Sequence, residues 1–143
     1  MTWGEIQIIS LQKMFAKDSV ITVTDLPTLL ADDDCKVYLS GMPAVCNEAI
    51  ERVKPYCMNE YKWDDDEGKY VKKTVGHVSN STASNYEIEL PPDACVLLPL
   101  YIASELYKDD DISMATTYRN EFEAGLQELN VNIENQESIK EVY

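Results

Sequence analysis

The apolar residues are distributed unevenly, and one stretch has no polar face. Residues 94–102, from Ala94 to Ile102, are apolar almost all the way round a helix. Such a helix must be enclosed by other elements or lie in a membrane. A run this short falls well below the roughly 20 residues needed to cross a bilayer. It is therefore expected to be the central buried helix of a small soluble domain. Pro99 sits inside it, and a mid-helix proline costs about 3 kcal/mol in isolation, so a local kink offset by packing is expected. The next stretch has Ala115, Tyr118, Phe122, Leu126 and Leu129 at intervals of three and four, with Arg119, Glu121 and Glu128 turned outward. That spacing predicts an amphipathic helix. Asp109, Asp110 and Asp111 precede it, where the helix dipole favours acid. Leu98, Ile102 and Leu106 of the first helix are expected to pack against Tyr118, Phe122 and Leu126 of the second.

The remaining elements follow from the same periodicities. Thr2 and Glu5 have capping-box spacing and open a helix over about 3–16, with Trp3, Ile6, Ile8, Ile9, Met14 and Phe15 as its apolar positions. Residues 20–24 are all β-branched and predict an extended segment. Helical patterns over 28–40 and 43–54 are separated by Gly41-Met42-Pro43, where the proline either kinks one long helix or begins another. Pro55 closes the second. Residues 58–63 and 70–75 flank an acidic tip, Asp64 to Glu67, followed by Gly68, and predict a hairpin. A polar loop over 76–85 leads to Tyr86-Glu87-Ile88-Glu89-Leu90, whose strict alternation predicts a half-buried strand. Pro91-Pro92 stops it, and Asp93 is placed to cap the buried helix. The periodicity fades after Asn130. The chain thus reads as a mainly α fold with a minor β part: a small helical bundle over 1–130, a β-hairpin insertion at about 58–86, and an extended C-terminal arm over 131–143.

Charge narrows the class of partner. Of 143 residues, 26 are acidic and 12 basic, a formal net charge of −14. Such a surface repels nucleic acid phosphate. It suits solubility, a surface past which DNA must slide, or a mimic of DNA. Cys35, Cys46, Cys57 and Cys95 form no CxxC pair, and His77 is the only histidine. A structural zinc site is therefore not expected, and the thiols read as small buried hydrophobes. The N-terminus has neither the basic region nor the cleavage site of a secretion signal.

No catalytic constellation is apparent. His77 lies in a polar loop, and no nucleophile motif or carboxylate partner is expected near it. The aspartate triplets 32–34, 64–66 and 109–111 lack the alternation, central glycine and terminal glutamate of a calcium loop, and read as helix caps and loop tips. Five glycines leave little material for a phosphate loop. Arg119 reads as the partner of a nearby acid. No cofactor, metal or catalytic residue is expected, and the chain does not read as an enzyme. Tyr61, Trp63 and Tyr70 place aromatic side chains on an exposed hairpin, as contact surfaces do. The arm ends in Ile139, Val142 and Tyr143, although disordered ends are usually poor in apolar residues; such an end suits a segment ordered by a partner.

The order of these elements has a counterpart. Leu98-Pro99-Leu100-Tyr101-Ile102-Ala103, Leu106-Tyr107-Lys108-Asp109-Asp110, and Ala115 with Tyr118-Arg119-Asn120-Glu121-Phe122 resemble the head–tail connector proteins (adaptor, or head-completion proteins) of long-tailed bacteriophages. The likeness spans about 2–130 and is sharp over 91–129. It implies a structural virion protein, made in the host cytoplasm, in which about twelve copies form a ring beneath the portal protein. That ring would continue the DNA channel and dock a stopper or tail-completion protein. DNA would pass through the lumen without specific binding, and no membrane would be involved. Twelve copies would carry a formal charge of roughly −170, which lets DNA slide without adhering. By the same resemblance, Ile139, Val142 and Tyr143 would reach the portal, and Tyr61, Trp63 and Tyr70 would make ring or downstream contacts. The rival reading is an acidic DNA mimic that inhibits a host nuclease, with carboxylates spaced like phosphates on one face.

Overall fold

Thr2 opens the first helix by satisfying its free amides. Its hydroxyl oxygen accepts the Glu5 amide at 3.2 Å and its hydroxyl donates to the Glu5 carboxylate at 3.1 Å, so α1 runs Trp3–Phe15. The computed structural model describes the backbone of residues 1–15, 22–57, 61–72 and 74–142, and their side chains except at 61, 62, 72 and 130–142. The expected extended run at 20–24 lies partly outside these residues. Its described end is a 3-10 turn, Val23–Asp25, because the Thr22 amide donates to the Asp25 carboxylate at 2.8 Å. A local side-chain bond of this kind outcompetes β propensity.

A short α2, Leu26–Ala31, follows with Pro27 in its first turn. The helical pattern over 28–40 is broken at Asp32, whose backbone is extended. Its carboxylate accepts the Asp34 and Cys35 amides at 2.9 and 3.3 Å and starts α3. This helix runs Asp33–Cys57, straight through Pro43 and past Pro55. Of the two outcomes open at Pro43, a single long helix is realised. Leu39, Met42, Cys46, Ala49, Ile50 and Val53 on its buried face supply the packing that offsets the missing amide.

The described part of the inserted hairpin has two four-residue strands. β1 (Tyr61–Asp64) pairs antiparallel with β2 (Lys69–Lys72), Trp63 opposite Tyr70; Met58 to Glu60 and Lys73 lie outside the described residues. Gly68 takes φ +64°, which the turn requires of a residue without Cβ. Residues 86–90 form no ladder strand. Ile88 and Leu90 are buried and Glu87 and Glu89 exposed, as the alternation predicts. The partner, however, is only the chain start: the Trp3 amide donates to the Tyr86 carbonyl at 2.8 Å and the Ile88 amide to the Met1 carbonyl at 3.1 Å. Helix α1 begins at once, so the pairing stops at a single bridge, Thr2 with Glu87.

The apolar stretch divides in two. α4 is one turn, Pro92–Cys95, and α5 spans Leu98–Leu106. Asp93 lies inside the first turn of α4 rather than capping it. Pro99 falls in the first turn of α5, where its missing amide would have had no partner, so the expected mid-helix kink does not arise. α5 packs against α6, α3 and α1 and is the hub of the bundle, with Leu98, Ile102 and Ala103 inaccessible to solvent. Asp111 accepts the Met114 amide at 3.1 Å and starts α6, Ile112–Val142. The arm expected over 131–143 is, through Val142, a helical continuation of α6. Gly125 is the last helix breaker in the sequence, so propagation at low cost carries the helix past its amphipathic part. The architecture is therefore mainly α, with one two-stranded hairpin.

Candidate functional site

Three surfaces carry side chains that the core does not consume. The first surrounds the junction of α5 and α6. Leu98, Ile102 and Phe122 are wholly buried and Leu126 nearly so, whereas Leu106 and Tyr118 lie half-buried at the edge. Phe122 tilts against Tyr101 with ring centres 5.1 Å apart. The Tyr118 hydroxyl reaches across to α1 and donates to the Lys13 carbonyl at 2.6 Å, tying the last turn of α1 to α6. Tyr101 also lies under two guanidinium groups, Arg119 at 4.6 Å and Arg52 at 5.3 Å from its ring centre. It donates to Glu48 at 3.1 Å, and Arg119 is paired with Glu105. The expected acid partner of Arg119 is thus present. The Glu48, Arg52 and Tyr101 part of the network was not foreseen, although the i, i+4 spacing of Glu48 and Arg52 was a visible signal. Burial raises the Tyr101 hydroxyl pKa above its ordinary value.

Around the corner, Asn47 clamps the 76–85 loop by both amide atoms. Its side-chain nitrogen donates to the Val78 carbonyl at 2.9 Å and its oxygen accepts the Val78 amide at 2.8 Å. This brings His77 to 2.8 Å from Glu51, a carboxylate partner that its sequence neighbours do not reveal. The hydrogen bond to His77 holds the Glu51 carboxyl below the usual range. Both groups are about half exposed. Neither serine nor cysteine joins them in the open depression formed with Ala44, Asn47, Glu48 and Arg52.

The second surface is the hairpin. Trp63 and Tyr70 meet edge to face at 5.2 Å, yet remain 53% and 69% exposed. The Trp63 indole donates to Asp65 at 2.8 Å. Asp64 accepts the Asp66 and Glu67 amides at 2.9 and 3.3 Å, so this aspartate triplet is turn chemistry. Tyr61 takes its place in β1 opposite Lys72; its side chain lies outside the described residues. Among the described residues, β1 and β2 make their main contacts with each other rather than with a helix.

The third surface is a groove of about 500 Å³ at the N-terminal end of α3. Phe15, Val37, Tyr38 and Leu106 line it, with Asp33, Asp34, Asp109 and Asp110 around them. Phe15 and Tyr38 meet edge to face at 5.3 Å, and the Tyr38 hydroxyl donates to Asp110. That bond pushes the Tyr38 hydroxyl pKa up to about 12. No local signal marks this groove, because two aspartate triplets 76 positions apart converge there only through the fold (Asp33 to Asp109).

The four cysteines are thiols, with Cys35, Cys46 and Cys95 buried and Cys57 half-buried. Burial pushes Cys46 up to about 12 and Cys57 to about 11. Among the described residues no cluster of His, Cys, Asp and Glu is arranged to hold a metal ion, and no helix is long and apolar enough to cross a membrane. Of the C-terminal residues, Ile139 and Val142 belong to the α6 backbone, their side chains outside the description, and Tyr143 lies outside the described residues. No family model matches the chain, and neither does any curated protein or solved structure.

Proposed function

We propose that this chain is a non-enzymatic structural protein of a bacteriophage virion, a head–tail connector that forms a ring below the portal and docks a stopper or tail-completion protein. The observation that carries the reading is the aromatic pair of the hairpin: Trp63 and Tyr70 pack on each other yet stay more than half exposed, which suits a contact with ring neighbours or a downstream protein. The portal is the further partner that the 91–129 resemblance implies. The net charge of −14 suits a channel through which DNA moves without sticking.

Two experiments test this. Electron microscopy of the purified protein mixed with the portal protein encoded beside it should show rings added to the portal. Deleting residues 132–143 should leave the melting temperature nearly unchanged and abolish that addition. Full portal binding by the truncated chain would move the docking surface elsewhere. Absence of any portal complex, together with tight binding to a basic nuclease, would replace this reading with the DNA mimic.

A further inference from the structure

The hairpin is a sheet without a third strand. Among the described residues β1 and β2 pair only with each other, and no helix packs extensively on either. Each strand therefore keeps one backbone edge unpaired. The register is unbroken from Tyr61–Lys72 to Asp64–Lys69, so no bulge twists an edge away, and neither strand contains a proline. Bulges and prolines are two of the devices that close an edge; charge is the guard that remains. A free two-stranded ribbon is marginal in water until a further strand or an apolar cover completes it.

The two free edges match one another. Trp63 stands opposite Tyr70 and packs against it, so both rings lie on one face. One position along, Asp64 stands opposite Lys69 on the other face. Residues opposite each other in an antiparallel pair turn the same backbone groups outward. Repeating the inner register across the outer edges therefore sets donors against acceptors, and again brings Trp63 beside Tyr70 and Asp64 beside Lys69. The charges can make this exchange. Lys69 pairs with Glu67 at 3.6 Å, both more than half exposed, a contact worth little in water. Asp64 takes the turn amides on Oδ1 alone, which leaves Oδ2 to face a lysine.

We propose that the free edge of β1 in one copy pairs antiparallel with the free edge of β2 in a second copy, Trp63 opposite Tyr70 and Asp64 opposite Lys69. The rings then form a continuous stripe on one face of the extended sheet, and opposite charges alternate on the other. Because the two edges differ, the contact is heterologous. A pair of copies still shows a β1 edge at one end and a β2 edge at the other, so assembly proceeds to a ring or a filament. Only ring closure leaves no edge open. This deepens the connector reading, on which it rests for the ring's place in a virion, by naming the strands through which neighbours touch.

The test uses the full chain in analytical ultracentrifugation, up to about 0.5 mM. Wild type should associate past the dimer as concentration rises, and a chain with residues 62–72 replaced by a Gly-Ser link should stay monomeric. Cross-linking reads the register. Asp64→Cys and Lys69→Cys are made separately in a Cys57→Ser chain, which removes the half-buried thiol, and are oxidised in air alone and mixed. The mixture should give at least about fivefold more disulfide-linked dimer than either variant alone, because positions 64 and 69 of neighbouring copies come within disulfide reach. A wild type that stays monomeric or stops at a dimer would overturn the contact. So would a shortened chain that associates like wild type, or linking as strong in one variant alone as in the mixture. None of these measurements involves the portal. Their failure with portal addition intact strikes the edge contact alone; cross-linking as expected without portal addition strikes the connector reading alone.

Discussion

Gly4 and Gly41 both lie in helices, and replacing each with alanine should change stability in opposite directions. In a helix interior alanine is favoured over glycine by about 1 kcal/mol. At Gly41, in the middle of α3, a new Cβ would meet only the Leu106 Cδ2 at 3.2 Å, the tip of a flexible side chain that can move a few tenths of an ångström. Gly41→Ala should therefore be neutral or stabilising by up to about 1 kcal/mol. At Gly4 the new Cβ would lie 2.9 Å from the Ser84 carbonyl oxygen and 2.9 Å from Val23 Cγ1. That oxygen is also the acceptor of the Gly4 amide at 2.9 Å, so it cannot retreat without stretching the bond. Moving the 84–88 segment strains the Tyr86 and Ile88 bonds as well, each worth about 1 kcal/mol net. Overpacking typically costs 1–3 kcal/mol, and the propensity gain is smaller in a first turn, so Gly4→Ala should lose about 1–2 kcal/mol net. For a chain of this size that is about 3–8 °C in melting temperature. Urea titration followed by far-UV circular dichroism measures both variants against wild type. A Gly4→Ala protein at least as stable as Gly41→Ala would refute the close approach of α1 to the 84–88 segment.

Other perturbations probe the bundle and its surfaces. Phe122→Ala should cost about 3–5 kcal/mol and Leu98→Ala about 2–5, since both are inaccessible to solvent; melting like wild type would contradict the α5–α6 core. Replacing residues 62–72 with a short Gly-Ser link should leave a protein that folds with nearly unchanged melting temperature, because no described helix packs extensively on β1 or β2; a collapse in stability would show that the bundle depends on the hairpin. With the Tyr38 hydroxyl raised to about 12 by its bond to Asp110, that bond stabilises the fold below the ordinary value near 10 and its contribution is lost as pH rises through about 12. Ultraviolet titration should therefore lose its most alkaline tyrosine step in Tyr38→Phe, and an unchanged profile would count against the bond.

The parts legible in the sequence were those set by local rules. The Thr2–Glu5 box, the amphipathic run from Ala115 to Leu129, the alternation at 86–90 and the hairpin around Gly68 all carry signals within a few residues. What escaped depended on distant partners or on competition at one position. Residues 86–90 read as a strand, but whether a strand forms depends on what lies beside it, and only Thr2 is available before α1 begins. Pro99 read as a kink because the end of α4 is not marked by any breaker; the turn at Val96-Leu97 places the proline where its missing amide does not matter. The groove at Asp33 and Asp109, the Arg52–Tyr101–Arg119 stack and the His77–Glu51 pair join residues far apart in sequence, which periodicity cannot bring together.

The position of α5 at the hub has a consequence for how the protein comes into being on the ribosome. α1 is synthesised first, but its inner face packs on α5, its start is bonded to Ser84, Tyr86 and Ile88, and its final turn is bonded to Tyr118. None of these partners exists until most of the chain has been translated. The amphipathic helices α1 and α3 must therefore wait with their apolar faces unmatched, and the nascent chain has no stable half-way domain to occupy. Folding is deferred to a single late event, completed once α5 and the first turns of α6 have left the exit tunnel. A slowing of translation before Leu98 would lengthen exposure to chaperones, because α1 and α3 would still lack the helix on which both pack.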